Sequence, residues 1–241
     1  GLGASGTEVY RLSGGHPYAS RLLAEARWPL EDDRVAALLR PVEAELLRSV
    51  SLELRDGVRT LAVIRRFIHI ASLRFFLSRL VPAACERRSD AFYLRFLRRL
   101  QHNQLLVGGP DQYEFVPAVR GILFQRLRLT RPEVYCRSHQ LALEMYEEWM
   151  RAYPQDCGRF LLEAIYHHVA AQVSAEGWGE AVGDGLWGLL DGRLLPRNFT
   201  TDQAYALYKS VQGDSELLQI MPPSLYEVLL ERIRRLLSGR T

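Results

Sequence analysis

The sequence predicts a mainly α fold class: a winged helix-turn-helix domain with a small β-hairpin, flanked by helical segments and followed by a helical, degenerate repeat-like region. Three observations carry this. Apolar residues recur at helical spacing along most of the chain. Gly and Pro punctuate those runs. One stretch, QLLVGGPDQYEFVP at residues 104 to 117, instead sets two short apolar runs around a Gly108-Gly109-Pro110-Asp111 turn, a hairpin signature.

Taken in order, residues 18–27 are expected to be helical. Tyr18, Leu22 and Ala26 recur four apart, Leu23 thickens the stripe, and Pro17 fixes φ at the start, where a missing N–H costs nothing. Pro29 and the Glu31-Asp32-Asp33 cluster end it, and Asp32 or Asp33 caps a second helix over 34–55, closed by Gly57. Residues 58–81 read as two short helices broken near His69 to Ser72, with Ser72 as N-cap and Pro82 as the stop. A helix over 90–102 has the stripe Phe92, Phe96, Leu97 and Leu100, with Arg95, Arg98 and Arg99 largely on the other side. After the hairpin, helix resumes near Ala118, with Val119, Ile122, Leu123 and Leu127 on one face, until Pro132. Beyond it, helices are expected at 133–153, 157–175, 179–190, 201–211 and 223–237, a helix-turn-helix texture with no strict period.

At 241 residues, 48% hydrophobic and 24% charged, the chain falls among globular proteins with a sizeable core. The net charge of +3 says little about partners, but its distribution says more. Residues 55–99 hold eleven Arg against Asp56, Glu86 and Asp90, a net +8; residues 131–191 hold four Arg against ten acids, a net −6. Such blocks point to docking on each other or to a polyanionic partner for the first. Cys85, Cys136 and Cys157 lack metal or redox spacing and read as buried thiols of a reducing compartment, hence a cytoplasmic location. No apolar run reaches spanning length, so no membrane partner is expected. The start at Gly1, not Met, reads as an excised fragment.

Catalytic chemistry finds no foothold, and the chain is read as not an enzyme. GLGASG at residues 1–6 matches a dinucleotide fingerprint by letters, but no strand precedes it to aim the glycines at a pyrophosphate. A Walker A loop needs Gly-Lys-Ser/Thr, and Lys209, the only lysine, follows Tyr208. His16, His69, His102, His139, His167 and His168 show no metal spacing, and the adjacent His167 and His168 point to different helix faces. No cofactor or metal is expected in the chain itself. In a DNA-binding winged helix the third helix enters the major groove; here Arg95, Arg98 and Arg99, with Arg87 and Arg88, would meet phosphate or guanine. Against this, the hairpin carries Asp111 and Glu114 and no base, and the helix offers only Gln101 and Asn103 for reading bases.

The order of elements resembles the middle of a STAND protein, the signal-transducing ATPases with numerous domains that include the NB-ARC proteins. Leu12-Ser13-Gly14-Gly15-His16-Pro17-Tyr18 is similar to the Gly-x-Pro motif of that family's helical lid. Residues 44–81, above all Ala62-Val63-Ile64-Arg65-Arg66-Phe67, resemble the opening helices of its winged helix. Tyr113-Glu114-Phe115-Val116-Pro117-Ala118-Val119-Arg120 resembles its strand-to-helix step, and Pro132-Glu133 through His139 and Tyr146 the first helix beyond. The likeness covers residues 10–150. It implies the end of a lid over 1–40, a winged-helix domain over 41–131 and a helical, repeat-like sensor region over 132–241. It also implies ATP or ADP in the parent protein, with Gly15 and Pro17 on the nucleotide side. The partners would be the rest of the parent ATPase and a homo-oligomer on activation. Where the family carries the histidine of Met-His-Asp, this chain has Val116, followed by Pro117, and neither side chain can donate a hydrogen bond. The reading is a non-catalytic regulatory and protein-interaction fragment that couples nucleotide state to output. The alternative is a DNA-binding winged-helix transcription regulator with a helical effector domain.

Overall fold

A computed structural model describes residues 5–85, 88–109, 112–173, 180–190 and 200–237. The chain divides into two compact units, Gly1–Ser138 and His139–Thr241, and is mainly helical with one small antiparallel sheet. Among the described residues no helix is long and apolar enough to cross a membrane.

The first unit opens with a helix ahead of the first one expected from the sequence, at 18–27. Ser5 Oγ accepts from Glu8 N at 3.2 Å and starts α1 (Gly6–Ser13). Gly14, at φ 59°, ends it with its N–H on Tyr10 O. Pro17 then stands at the first position of α2 (Pro17–Ala24), as expected. Helix α3 (Asp32–Leu46) carries Asp32 and Asp33 in its first turn, where they favour the dipole; Glu31, not an aspartate, holds the cap position. Val9, Leu12, Ala19, Leu23, Val35, Leu39 and Val42 form one core with Ile122 of α8 (Pro117–Thr130).

The helix expected over 34–55 is broken. It stops at Leu46, turns through 47–51, and resumes as α4 (Leu52–Leu61). Arginines take up the carbonyls of the turn: Arg55 Nε donates to Val50 O at 3.0 Å and Arg99 Nη2 to Ser49 O at 2.6 Å. Gly57 does not end a helix. It lies inside α4, where a Cβ would sit 2.4 Å from Leu77 Cδ2 of α5 (Ile70–Leu80), so it is a packing glycine.

The cap of α5 is also shifted. His69 holds the N-cap: its Nδ1 accepts from Ser72 N at 3.2 Å, while His69 N donates to Ser72 Oγ at 2.8 Å. Burial holds the His69 pKa below the ordinary 6.5, against the opposing pull of a backbone hydrogen bond. Only the neutral ring can accept at Nδ1. The cap therefore stabilises fully above pH 6.5 and is lost as pH falls through the lower folded value. His69→Ala is expected to cost about 1 kcal/mol at pH 8 and much less at pH 5, read by urea melts at both.

Short α6 (Pro82–Cys85) and then α7 (Asp90–His102) lead to the hairpin β1 (Leu106–Gly109) and β2 (Gln112–Phe115). Its register pairs Leu106 with Phe115 and Gly108 with Tyr113. Gly108 is at φ 107° and a Cβ there would lie 2.4 Å from Gln112 O. The turn residues Pro110 and Asp111 lie outside the described residues. Between α4 and α5, Ile68 pairs with Tyr113 in both directions, at 3.1 and 2.7 Å, and adds a third strand-like contact to the sheet. The buried side of α7 is Tyr93, Phe96, Leu97 and Leu100, so Tyr93 takes the place expected of Phe92.

Helix α9 (Pro132–Ala152) supplies its residues up to Ser138 to the first unit and the remainder to the second. The second unit continues through α10 (Cys157–Val173), α11 (Glu180–Gly188), α12 (Thr201–Gln212), α13 (Ser215–Ile220) and α14 (Pro223–Leu237). Helix α10 packs against α11, α12 and α13, and α12 against α14. Gly179, the expected start of α11, lies outside the described residues. The short α13 was not foreseen; Asp214 Oδ1 caps it by accepting from Leu217 N at 2.9 Å.

Candidate functional site

The glycine-proline corner is a close helix junction. Gly14 and Gly15 have φ of 59° and 78°, which glycine adopts without penalty. A Cβ on Gly14 would stand 3.0 Å from Gly121 Cα of α8, and one on Gly121 2.7 Å from Gly14 Cα. Ser13 Oγ accepts from Gly15 N at 3.2 Å and shares a 2.8 Å hydrogen bond with Ser20 Oγ. The ring of Tyr10 covers Gly15. Pro17 is exposed beside Tyr10 and Tyr18, which are 65% and 45% exposed, and Arg21 stands 5.3 Å from the Tyr18 ring centre. The corner therefore leaves Pro17, Tyr10 and Tyr18 exposed to solvent, with Arg21 over the Tyr18 ring.

Arg95, Arg98 and Arg99 lie on the exposed side of α7, as expected, together with His102. Arg99 is committed to Ser49 O, so Arg95 and Arg98 are its more available neighbours. Asp90 is held in an ion pair by Arg74, and Arg88 stacks over Phe92 at 5.0 Å. Arg87 lies outside the described residues.

A third feature escaped the sequence reading. Glu43 of α3, its side chain 7% exposed, accepts from Arg59 Nε at 2.9 Å and from Arg126 Nε at 3.2 Å. Asp56 in turn pairs with Arg59 Nη1 at 2.6 Å and Arg131 Nη1 at 2.9 Å. The result is one alternating chain, Arg126–Glu43–Arg59–Asp56–Arg131. Arg126 Nη1 also donates to Ala36 O at 2.7 Å, next to Ala37, whose carbonyl Pro41 leaves without a helical N–H donor. Burial pushes the Asp56 carboxyl up, but hydrogen bonds and charge from Arg131 and Arg59 outweigh it and hold the pKa below 3.8. Beside this chain lies a cleft of about 280 Å³, lined among others by Thr60, Leu80, Val81, Arg131 and Val134. The one sequence signal was Glu43 itself, an acid on the apolar stripe of Val35, Leu39 and Val42.

In the second unit His139 and His167, both fully buried, share a 2.8 Å Nδ1–Nδ1 hydrogen bond beside the rings of Tyr146 and Tyr166. The histidines are core groups of facing helices. His168 packs its ring against Gly185, where a Cβ would come within 2.5 Å. Cys85 and Cys157 are buried, Cys136 is half-buried, and none of the three is in a disulfide; burial pushes the Cys157 thiol up to about 11. Among the described residues no group of three His, Cys, Asp or Glu is placed to hold a metal ion. No family model, curated protein or solved structure matches the chain.

Proposed function

We propose that this chain is a regulatory and interaction module of a STAND-type signalling ATPase, with α4 to β2 as its winged helix. One observation carries the reading: the order helix, short bridge, helix, helix, hairpin, with Ile68 joining Tyr113 of the hairpin before α5 begins. A winged helix-turn-helix places a short strand at that point, and a plain three-helix bundle followed by a hairpin does not. The Gly15–Pro17 corner ahead of it carries an exposed proline, with Tyr10 and Tyr18 also exposed, which on this reading would face the nucleotide in a larger protein. Helix α8 begins at Val116-Pro117, so on this reading the phosphate contact of the family's histidine would be missing or made by another group. The module would pass nucleotide state from an ATPase core to the helical array of the second unit. The test is the coding sequence ahead of Gly1: a Gly-Lys-Thr/Ser loop is expected about 200–300 residues upstream, one or two domain lengths. An open reading frame without it overturns the proposal.

The exposed Arg95 and Arg98 favour a second reading, phosphate contact on duplex DNA. On that reading Arg95→Ala, Arg98→Ala and Arg99→Ala together reduce the slope of log affinity against log salt by about 2 to 3, measured by fluorescence anisotropy on duplex DNA. Absence of salt-dependent binding by the unsubstituted chain leaves the interaction module.

A further inference from the structure

We infer that the first unit is built to open along α4, with the chain Arg126–Glu43–Arg59–Asp56–Arg131 as the latch. The purpose of the opening rests on the signalling role proposed above; the opening itself does not. Four observations support it.

The first unit holds two apolar clusters. One is made by α1, α2, α3 and α8 and is closed by Val9, Leu12, Leu23, Leu39 and Ile122. The other gathers buried residues of α5, α7 and the hairpin, such as Leu73, Phe76, Leu97, Leu106 and Tyr113. Helix α4 lies between the two: it packs on α5 of the second through the close Gly57–Leu77 contact, and it also packs on α8 of the first.

Polar bonds cross the seam between the two layers. Helix α4 offers opposite charges one turn apart, Asp56 and Arg59. Each finds its partner in the other layer: Arg59 on Glu43 of α3, and Asp56 on Arg131, which follows α8. Arg120 Nε of α8 adds a bond to Ala62 O at 3.0 Å, just past the end of α4. Apolar contacts hold as well in salt as in water, whereas the half-exposed Asp56–Arg131 end of the chain weakens and the buried Glu43–Arg126 pair is screened less. A seam of this kind separates more readily than a core.

Packing along the seam is incomplete. The cleft of about 280 Å³ is bounded by Asp56 and Thr60 on one side and Arg131 and Val134 on the other.

Two short connections join the layers. One is the turn at 47–51 between α3 and α4, and the other is Val116 between β2 and α8. Rotation about two such points moves one layer against the other while each keeps its own core. The move is a hinge opening released by loss of the pairs.

The experiment reads thiol accessibility in the whole chain, by maleimide labelling followed by peptide mass mapping. Thr60, 2% exposed on the cleft side of α4, is the reporter position through Thr60→Cys. Leu23→Cys and Leu106→Cys report the interiors of the two layers. Raising NaCl from 0.05 to 1 M, which shortens the screening length several-fold, is expected to speed labelling at position 60 about tenfold, while the two interior positions stay slow. Glu43→Gln should give the same selective increase at low salt. Glu43→Leu, Asp56→Leu, Arg59→Met, Arg126→Met and Arg131→Met together remove the ion pairs while filling their volume; this variant should label slowly at position 60 whatever the salt. Equal acceleration at all three positions means unfolding of the unit and overturns the latch. So does labelling at position 60 that neither salt nor Glu43→Gln changes. No nucleotide enters the assay, so a failure of the latch is separate from a failure of the ATPase reading.

Discussion

Glu43→Leu is expected to lower the free energy of unfolding of the first unit by about 3–5 kcal/mol. The leucine keeps the apolar contacts of the α3 stripe but leaves Arg59 and Arg126 facing one another, with no carboxylate between them. Arg126 is 14% exposed at the side chain and cannot reach water without moving. Removing one member of a buried ionic group costs far more than removing the group, because the survivors stay desolvated. The triple change Glu43→Leu, Arg59→Met and Arg126→Met should therefore recover most of the loss. Urea denaturation followed by circular dichroism checks both, through the midpoint at constant slope. A single and a triple variant of equal stability would show that the acid contributes only as volume.

The same chain sets an acid limit. The Asp56 pKa lies below 3.8 when folded, so the stabilisation from its pairs is present above pH 3.8 and is lost as pH falls through the folded value. Asp56→Asn should flatten that part of the stability curve. Asp56 is about half exposed, so the effect is modest beside that of Glu43 and shrinks in salt.

Gly121→Val should destabilise by about 3 kcal/mol. In an isolated helix a side chain at this position would help, since glycine costs about 1 kcal/mol against alanine. Here a Cβ would meet Gly14 Cα at 2.7 Å, and the obstacle is backbone, which cannot turn aside as a flexible side chain does. Gly14 cannot yield by changing residue type either, because at φ 59° it sits where L side chains are strained. The pair acts as one contact, so Gly14→Ala should cost a comparable amount and the two together less than their sum. Thermal melts of the single and double variants decide this. Additive losses would mean that the two glycines are needed for separate reasons.

Several features of the chain were legible one residue at a time. Pro17 and Gly14 marked the α1–α2 corner because ring closure and a missing Cβ restrict or free φ whatever the surroundings. Gly108-Gly109 marked the hairpin for the same reason. Helices with a strong apolar stripe, α7, α10, α12 and α14, were found within a residue or two of their ends. Where a boundary depended on a distant partner, the reading failed. The stop at Leu46 depends on Arg55 and Arg99 taking the carbonyls of the turn that follows, and Arg99 is 50 positions from Ser49. Gly57 looked like a terminator and proved to be the space for Leu77. Ser72 looked like a cap and is the third residue after the cap, because a histidine ring, seldom used so, accepts the bond.

The candidate surfaces divide in the same way. The exposure of Arg95 and Arg98 followed from helical period, and the place of Pro17 at a helix start from its ring. The salt-bridge chain did not, since its members lie at 43, 56, 59, 126 and 131 and only folding brings them together. By itself the sequence determined most of the helical segments, the turns marked by Gly or Pro, and that Lys209 lies in no Gly-Lys-Ser/Thr loop. These are properties of φ, of hydrophobic period and of local spacing. Only the tertiary structure decided that Glu43 is shared by two arginines, that Gly14 rests on Gly121, and that Ile68 joins Tyr113. Those contacts form between residues from 16 to more than 100 positions apart, and no periodicity along a chain encodes which helix will lie against which.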